Sequence, residues 1–319
     1  MKQVSVRFLA ILGLTLVLPL QTYAKTQLWV YTSMYKEFAA PIKEAFEKKN
    51  PDIEVQIFQA GSEKIQAKVE AELLAGKPQA DVLIASDPFW AAALQKRGLI
   101  HTPVEGKDID TNYYSLMVLI CHKNLPQNQR PSGFQDLTKA EFKNMLQTGS
   151  PLESGTAFSM VAYLSNKYGW EYFQKLGQNN LASNGGNSTV MQKVESGEKK
   201  LGIVLLENVL AAQKRGSPIE IIYPSDGAIP IPSVRTILKS SPNKAAAELF
   251  SKFILSKEGQ KLLLNGFMYS VLKDLPPPDG AKPLGEVTRN STPWTPQLIG
   301  SIGSNTKDIK KKFAQFVLE

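Results

Sequence analysis

Three serine-containing turns in the first third of the chain each follow a strand-like run and precede a helical pattern. They are Thr32-Ser33 after residues 28–31, Gly61-Ser62 after residues 53–58, and Ser86-Asp87-Pro88 after residues 82–85. The first N–H groups of a helix lack partners within the helix and lie at the positive end of its dipole, which favours an anionic or oxygen-rich ligand. Because right-handed connections bring the ends of parallel strands to one edge, we expect a binding surface there. The alternative is that Ser33, Ser62 and Ser86 are ordinary helix caps.

The middle of the chain repeats this arrangement of strand, polar turn and helix. Ser154-Gly155-Thr156 precedes the helical pattern of residues 158–164, Asn187-Ser188 belongs to a glycine-rich turn before residues 189–195, and Glu207 opens a helix after the run 201–206. We expect these residues to face the same ligand from the opposite side.

Three charged residues among these candidates leave two roles open each. Asp87 and Glu207 either cap helices or accept hydrogen bonds from a hydroxyl or ammonium group of the ligand. Arg235, on a later strand, either contacts an anion or points to solvent. An acid facing a phosphate would repel it, so an acid in the site favours a ligand with a donor at its other end.

We expect an α/β fold of two Rossmann-like lobes to hold these residues in place. Two long apolar runs, residues 113–123 and 229–239, are typical of strands that cross from one lobe to the other. We predict that residues 25–115 and 236–319 form lobe one with the C-terminal helices, and that residues 116–235 form lobe two. The tail helix 306–318 presents Ile309, Phe313, Phe316 and Val317 on one side, whereas its lysines are explained by a solvated face.

Residues 1–24 have the pattern of a signal peptide, with Lys2 and Arg7 before an apolar run of residues 8–20. We predict cleavage after Ala24 and a periplasmic protein, and the lack of a nearby cysteine argues against a lipid anchor. The net charge of +8 is spread over the helices rather than gathered on one face, so we expect no nucleic-acid partner. Cys121, the single cysteine, lies in an apolar run that predicts a buried thiol.

Five segments, in order, carry a resemblance to a known family. They are Val30-Tyr31-Thr32-Ser33, Ala80-Asp81-Val82, Gly202-Ile203-Val204, Leu238-Lys239-Ser240-Ser241-Pro242-Asn243 and Ser256-Lys257-Glu258-Gly259-Gln260. The chain resembles the periplasmic solute-binding proteins of ABC importers, in the branch that binds ferric ion, hexose phosphates, phosphoglycerate and aminoethylphosphonate. The resemblance implies a periplasmic-binding-protein fold that closes by a hinge, an inner-membrane permease as partner, a monomer, and neither catalysis nor a cofactor.

The resemblance also bears on the ligand. Its ferric branch uses adjacent tyrosines at a strand end where this chain reads Leu206-Glu207-Asn208. The pair Tyr113-Tyr114 falls elsewhere, ahead of the crossing, and we expect it to have an ordinary aromatic role. His101 and His122 lack the spacing of metal ligands. An organophosphate held by Ser62, Ser86, Ser154, Thr156 and Ser188 therefore ranks above iron, although the run Ile231-Pro232-Ser233-Val234 lacks the glutamate of the sugar-phosphate binders.

Two other classes of protein share such a scaffold. One is a solute sensor that presents its ligand to a membrane receptor. The other is a two-lobe enzyme using Cys121 or Glu207, which the sequence disfavours because neither residue has an evident basic partner.

Overall fold

A computed structural model describes residues 24–103, 107 and 109–319. Residues 1–23 of the predicted signal peptide lie outside the described residues, so the cleavage site stays a prediction.

The described chain alternates strands and helices from Thr26 onward. The strands are β1 Thr26–Thr32, β2 Ile53–Gln59, β3 Val82–Ala85, β4 Asp110–His122, β5 Leu146–Thr148, β6 Ala182–Ser183, β7 Leu201–Leu205, β8 Ile219–Ile222, β9 Ile229–Ile237 and β10 Tyr269–Ser270. The helices are α1 Lys36–Lys49, α2 Ser62–Leu74, α3 Pro88–Lys96, α4 Gly155–Tyr168, α5 Trp170–Gln178, α6 Asn187–Glu195, α7 Leu206–Lys214, α8 Lys244–Leu255, α9 Lys257–Asn265, α10 Leu284–Val287, α11 Pro296–Ser304 and α12 Thr306–Phe313. A wider π-helical turn, Ala314–Leu318, follows α12.

The strands form a mixed sheet in the order β2-β1-β3-β9-β4-β7-β5-β6, with β8 and β10 also paired to β4. β1 pairs in parallel with both β2 and β3. This confirms that the three serine turns, which follow these strands, lie at the same edge of the sheet. β4 and β9 run antiparallel from the Asp110–Arg235 pair to the Met117–Ile229 pair. The two long apolar runs are thus the strands that join the two halves of the α/β fold, as predicted.

The apolar core is divided between the two halves of the sheet. Leu28, Phe46 and Phe250 belong to a cluster on the β1–β3 side, whereas Phe173 and Phe313 belong to a cluster beyond β4. The predicted apolar side of the tail is confirmed as a packing surface, because Ile309, Phe316 and Val317 lie against the second cluster. α11 packs against α3 and α12 packs against α4, so the C-terminal helices contact both halves. The proposed lobe boundaries stay a prediction.

The Lys-x-Ser-Pro-Asn segment that carries the resemblance has a structural role. The Oγ of Ser241 donates to Oδ1 of Asp81 at 2.5 Å, and Nδ2 of Asn243 donates to Oδ2 of Asp81 at 3.2 Å. The same carboxylate accepts the backbone N–H of Trp29 at 2.8 Å. This buried aspartate therefore fastens β1 to the turn that precedes α8.

Cys121 is fully buried in β4 as a free thiol, as predicted, and burial raises its pKa. Of the helices that the structure describes, none combines the length and the apolar character that crossing a bilayer requires.

Candidate ligand-binding site

A cavity of about 690 Å³ lies where the first helical turns of the two halves face each other. Ten residues predicted from the sequence line it. They are Ser33, Gly61, Ser62, Ser86, Ser154, Gly155, Thr156, Asn187, Ser188 and Glu207. The helices α2, α4 and α6 all begin at this cavity, so their N-terminal dipole ends point toward one volume.

None of the three first-half serines caps its helix. α2 begins at Ser62 with Gly61 as N-cap, α3 is capped by Asp87, and α1 has Tyr35 at its N-cap without a side-chain hydrogen bond. The Oγ of Ser33 instead accepts the backbone N–H of Ser86 at 3.2 Å, which ties two of the turns together. The hypothesis of ordinary caps is wrong for these serines, and all three residues line the cavity.

The opposite wall is a short hydroxyl and amide network. Ser154 caps α4 through a 3.4 Å bond from the backbone N–H of Ala157, and its Oγ lies 3.1 Å from Oγ1 of Thr156. Nδ2 of Asn187 donates to the same Thr156 oxygen at 3.1 Å. α6 has no side-chain cap, so its first N–H groups are open to a ligand.

Three predicted residues do not line the cavity. Thr32 is buried beneath it, where its Oγ1 accepts the N–H of Met34. Asp87 caps α3 by accepting the N–H groups of Phe89 and Trp90, and burial raises its pKa to about 6.

Arg235 takes neither of the two roles left open by the sequence. Its guanidinium is buried against α8 and outside the cavity, where it donates to Asp110 at 3.0 Å, to the side chain of Asn112 at 2.8 Å and to the carbonyl of Ser251. Its neighbour in the sequence, Thr236, is buried as well. The register of β9 against β4, which places Arg235 beside Asp110, decides this position.

Glu207 is the one predicted acid that faces the cavity. It lies in the first turn of α7 and is only 5% exposed. Oε1 accepts the hydroxyl of Ser115 at 2.5 Å, and Oε2 has no hydrogen-bond partner among the described residues. Burial raises the pKa of Glu207 to about 7. The carboxyl is therefore held in place through one oxygen, and the other is an unsatisfied buried acceptor.

Comparison with known proteins decides the family of this site. The sequence profile of the bacterial extracellular solute-binding proteins matches residues 27–267. The chain belongs to that family.

Relatives and solved structures agree with this assignment. A Haemophilus influenzae protein without an assigned function is 28% identical over 267 residues, covering 75% of each chain. The Fe(3+)-binding periplasmic protein of Serratia marcescens is 27% identical over 197 residues, 58% of this chain and 57% of that protein. The fold is similar to the periplasmic binding protein AfuA of Actinobacillus pleuropneumoniae with fructose-6-phosphate bound, with a TM-score of 0.79, 22% identity and coverage of 92% of this chain and 99% of that one.

The cavity of this solute-binding protein also has an apolar wall that the sequence analysis did not assign to the site. It includes Met34, Tyr35, Phe38, Tyr113 and Met268. Tyr35 and Phe38 follow the Thr32-Ser33 turn closely, so their position next to a predicted binding turn could have identified them as site residues from the sequence. Tyr113 and Met268 reach the cavity only through tertiary packing.

The charged side chains at the cavity wall are mostly acidic. Lys64 is the one cation among the described lining residues, against Glu63, Glu153 and Glu207. Glu63 pairs with Lys310 at 2.7 Å, and Glu153 accepts the N–H of Gly185 at 3.1 Å. The sequence predicted a solvated face for the tail lysines, and this prediction is wrong for Lys310, which is paired with Glu63. No group of three or more His, Cys, Asp or Glu side chains within the described ranges is placed to hold a metal ion.

Proposed function

We propose that this protein is the periplasmic substrate-binding component of an ABC importer and that it captures a small organophosphate in the cavity. The observation that carries the proposal is the convergence of three helix N-termini, α2, α4 and α6, on one cavity with serine and threonine hydroxyls between them. Such a site offers a phosphoryl group many neutral donors in a favourable dipole field.

The size and composition of the cavity favour an organic phosphate over inorganic phosphate. About 690 Å³ is the volume of a site for a small organic molecule. Hydroxyl donors occupy one part of the wall, whereas Tyr35, Phe38 and Met268 offer contact area to the rest of the ligand. The bound fructose-6-phosphate of the similar AfuA structure supports this class of solute.

Ferric ion is the second candidate, supported by the Fe(3+)-binding relative from Serratia marcescens. Fe(III) favours phenolate and carboxylate oxygens. Tyr113 and Glu207 both line the cavity, but burial raises the pKa of Tyr113, and the nearby Glu207 adds to that effect. Iron would have to displace the phenol proton in a buried position that opposes the charged phenolate, so we rank the organophosphate first.

A thermal-shift screen tests the proposal, because a ligand that binds only the folded state raises the Tm. The panel is ferric citrate, phosphate, glucose 6-phosphate, 3-phosphoglycerate and 2-aminoethylphosphonate. We expect a rise with at least one organic phosphate or phosphonate. A response to ferric citrate alone, or recovery of a red iron-loaded protein, would replace the organophosphate by iron.

A double substitution connects the ligand to the site. We expect Ser86→Ala with Ser154→Ala to weaken binding roughly tenfold or more, since each hydroxyl supplies on the order of 1 kcal/mol. Ser304→Ala, at the exposed end of α11, is the matched control. An unchanged affinity in the double variant would show that the hydroxyls do not bind the ligand.

Secretion, delivery and assembly belong to the same proposal. We expect the mature protein to begin at Lys25, to be a monomer, to catalyse no reaction and to deliver its solute to an inner-membrane permease. N-terminal sequencing of the protein recovered from the periplasm tests the first expectation. Solute uptake in cells with and without the gene separates transport from a sensor role.

A further inference from the structure

The C-terminal helix α11 packs against the opposite half of the protein from the helices before and after it in the chain. Its neighbour is α3, whose Trp90 and Leu94 share a core cluster with β1 and β3 in the first half. In contrast, α10 and α12 contribute Val287 and Phe313 to core clusters of the second half. The chain therefore crosses from the second half to the first and back again within α11 and its two connections.

Hydrogen bonds fasten the segment before α11 to the second half. The carbonyl of Val287 accepts the backbone N–H of Ala228 at 2.8 Å, and Oγ of Ser291 donates to the carbonyl of Ala228 at 2.6 Å. The indole N–H of Trp294 donates to the carbonyl of Pro230 at 2.6 Å. Ala228 belongs to the second-half core, so we expect this segment to move with the second half.

Packing fastens the segment after α11 to the same half. Phe313 of α12 is fully buried, and its ring centroid lies 5.5 Å from that of Phe173 on α5. Ile309 packs against the same cluster. Both ends of α11 are thus anchored to the second half, although Lys310 also reaches Glu63 of the first half.

The attachment of α11 itself to the first half is small and apolar. Within α11, which the structure describes throughout, only Ile302 is buried, and none of the nine residues is charged. Leu298 and Ile299 are partly buried against the same cluster, which includes Phe89 of α3 and Phe158 of α4. The rings of these two phenylalanines lie 5.6 Å apart, so the two halves meet directly beneath α11.

We propose that α11 is a strap that must leave α3 when the cleft opens. Because both ends of α11 are anchored to the second half, a hinge motion that separates the halves carries it away from α3. In the closed arrangement the strap holds the halves together, and its release exposes Ile302 and Phe89 to solvent. The contact thus sets how often the free protein opens before any solute binds. The inference goes beyond the proposed function, because it applies whichever solute the cleft takes.

Opening can be measured without a solute at Ser62, which is 4% exposed. A Cβ added to Gly155 on the opposite half would lie 2.7 Å from the Cβ of Ser62, so the closed arrangement shields this position. In a Ser62→Cys variant, iodoacetamide should reach the introduced thiol when the halves separate, and mass spectrometry of the peptide gives the labelling rate. The native Cys121 is fully buried and should not react.

Weakening the strap should speed this labelling. In the Ser62→Cys background, Ile302→Ala should raise the rate about tenfold or more, because it removes the buried side chain that holds α11. Leu263→Ala, in the first-half core away from α11, is the matched control for the loss of a buried side chain. It should lower the Tm and leave the labelling rate within about twofold. An unchanged rate in Ile302→Ala would overturn the proposal, and Ile302→Val, with a severalfold increase expected, serves if the alanine variant folds poorly.

A reversible lock distinguishes a strap from simple packing between the halves. A Cβ added to Gly303 would lie 3.8 Å from the Cβ of Phe89, a separation typical of a disulfide. Phe89→Cys and Gly303→Cys are therefore added to the Ser62→Cys variant, and peptide mapping confirms the bond between positions 89 and 303. The oxidised protein should label at position 62 at least about tenfold more slowly than the same protein after reduction. Equal rates would mean that α11 stays on α3 during opening, which would overturn the proposal whatever the solute screen finds.

Discussion

A Cβ atom added to Gly155 would lie 2.7 Å from the Cβ of Ser62, closer than such atoms approach in real structures. Gly155 is the first residue of α4 and Ser62 is the first residue of α2, so two helix N-termini meet across the cavity. Neither atom belongs to a flexible side-chain end that could move aside. The contact between the two halves at this point therefore requires glycine.

Gly155→Ala should keep the halves apart and weaken ligand binding about tenfold, because relieving such an overlap costs on the order of 1–3 kcal/mol. The Tm of the free protein should change little, since alanine suits the first turn of a helix. Titration calorimetry measures the affinity, and small-angle scattering shows whether the ligand still compacts the protein. Gly300→Ala is the control, because a Cβ there meets nothing within 4 Å.

The Glu63–Lys310 pair should favour the closed arrangement. It links α2 to α12, which packs against α4, and its side chains are 18% and 21% exposed. Lys310→Met should weaken ligand binding severalfold, from the loss of about 1 kcal/mol of a partly buried ion pair. Raising the salt concentration should weaken ligand binding by the unmodified protein more than ligand binding by the variant. Lys311→Met, on the exposed side of α12, should change neither quantity.

Arg235 should matter for stability and not for ligand binding. Arg235→Met leaves Asp110 without its buried partner, which should lower the free energy of unfolding by about 3 kcal/mol. The ligand affinity should be unchanged, because Arg235 lies outside the cavity. Urea unfolding and titration calorimetry measure the two effects, with the half-exposed Arg97, which pairs with Glu70, as a control for a surface ion pair. A loss of affinity in Arg235→Met at unchanged stability would contradict the position of this side chain.

Asp81 should likewise act on stability. Asp81→Ala removes the acceptor of Ser241, Asn243 and the backbone of Trp29, so the free energy of unfolding should fall by roughly 2–3 kcal/mol. The affinity for the solute should stay within twofold or so, because no bond of Asp81 reaches the cavity. Asp279→Ala, at an exposed position, is the control for urea unfolding.

Glu207 should make the free protein less stable as the pH rises. Its folded pKa of about 7 lies above the ordinary value of 4.5, so between these values the folded protein keeps a proton that the unfolded chain has lost. The stability from this group is present below about pH 4.5 and is lost as the pH rises through 7, by about 3 kcal/mol in total.

The measurement is urea unfolding of the unmodified protein and Glu207→Gln from pH 5 to pH 8, without ligand. The free energy of unfolding of the unmodified protein should fall relative to the variant over this range. The raised pKa of Asp87 acts in the same direction in both proteins and cancels in the difference. Parallel curves would mean that Glu207 is ionised in the folded protein at low pH.

Local sequence patterns were enough to predict the first three strands with their helices, the two crossing strands, the parallel relation of the first three strands and most of the polar cavity wall. These features depend on local information. Alternating apolar residues predict a strand, apolar residues at helical spacing predict a helix, and the turn between them must lie at the end of the strand. Ser62 and Gly155 were found for this reason, although they are 93 positions apart in the numbering.

Long-range packing, in contrast, sets where Arg235, Tyr113 and Lys310 lie and whether the serines cap their helices. Each of these depends on a partner far away in the sequence: Asp110 for Arg235, the cavity for Tyr113, Glu63 for Lys310 and Ser86 for Ser33. The register of two strands or the approach of two helices sets such partners, and a local pattern of residues carries no record of either. The sequence did mark Glu207 as a candidate. However, only the packing of the chain shows that one of its carboxyl oxygens is buried without a partner among the described residues.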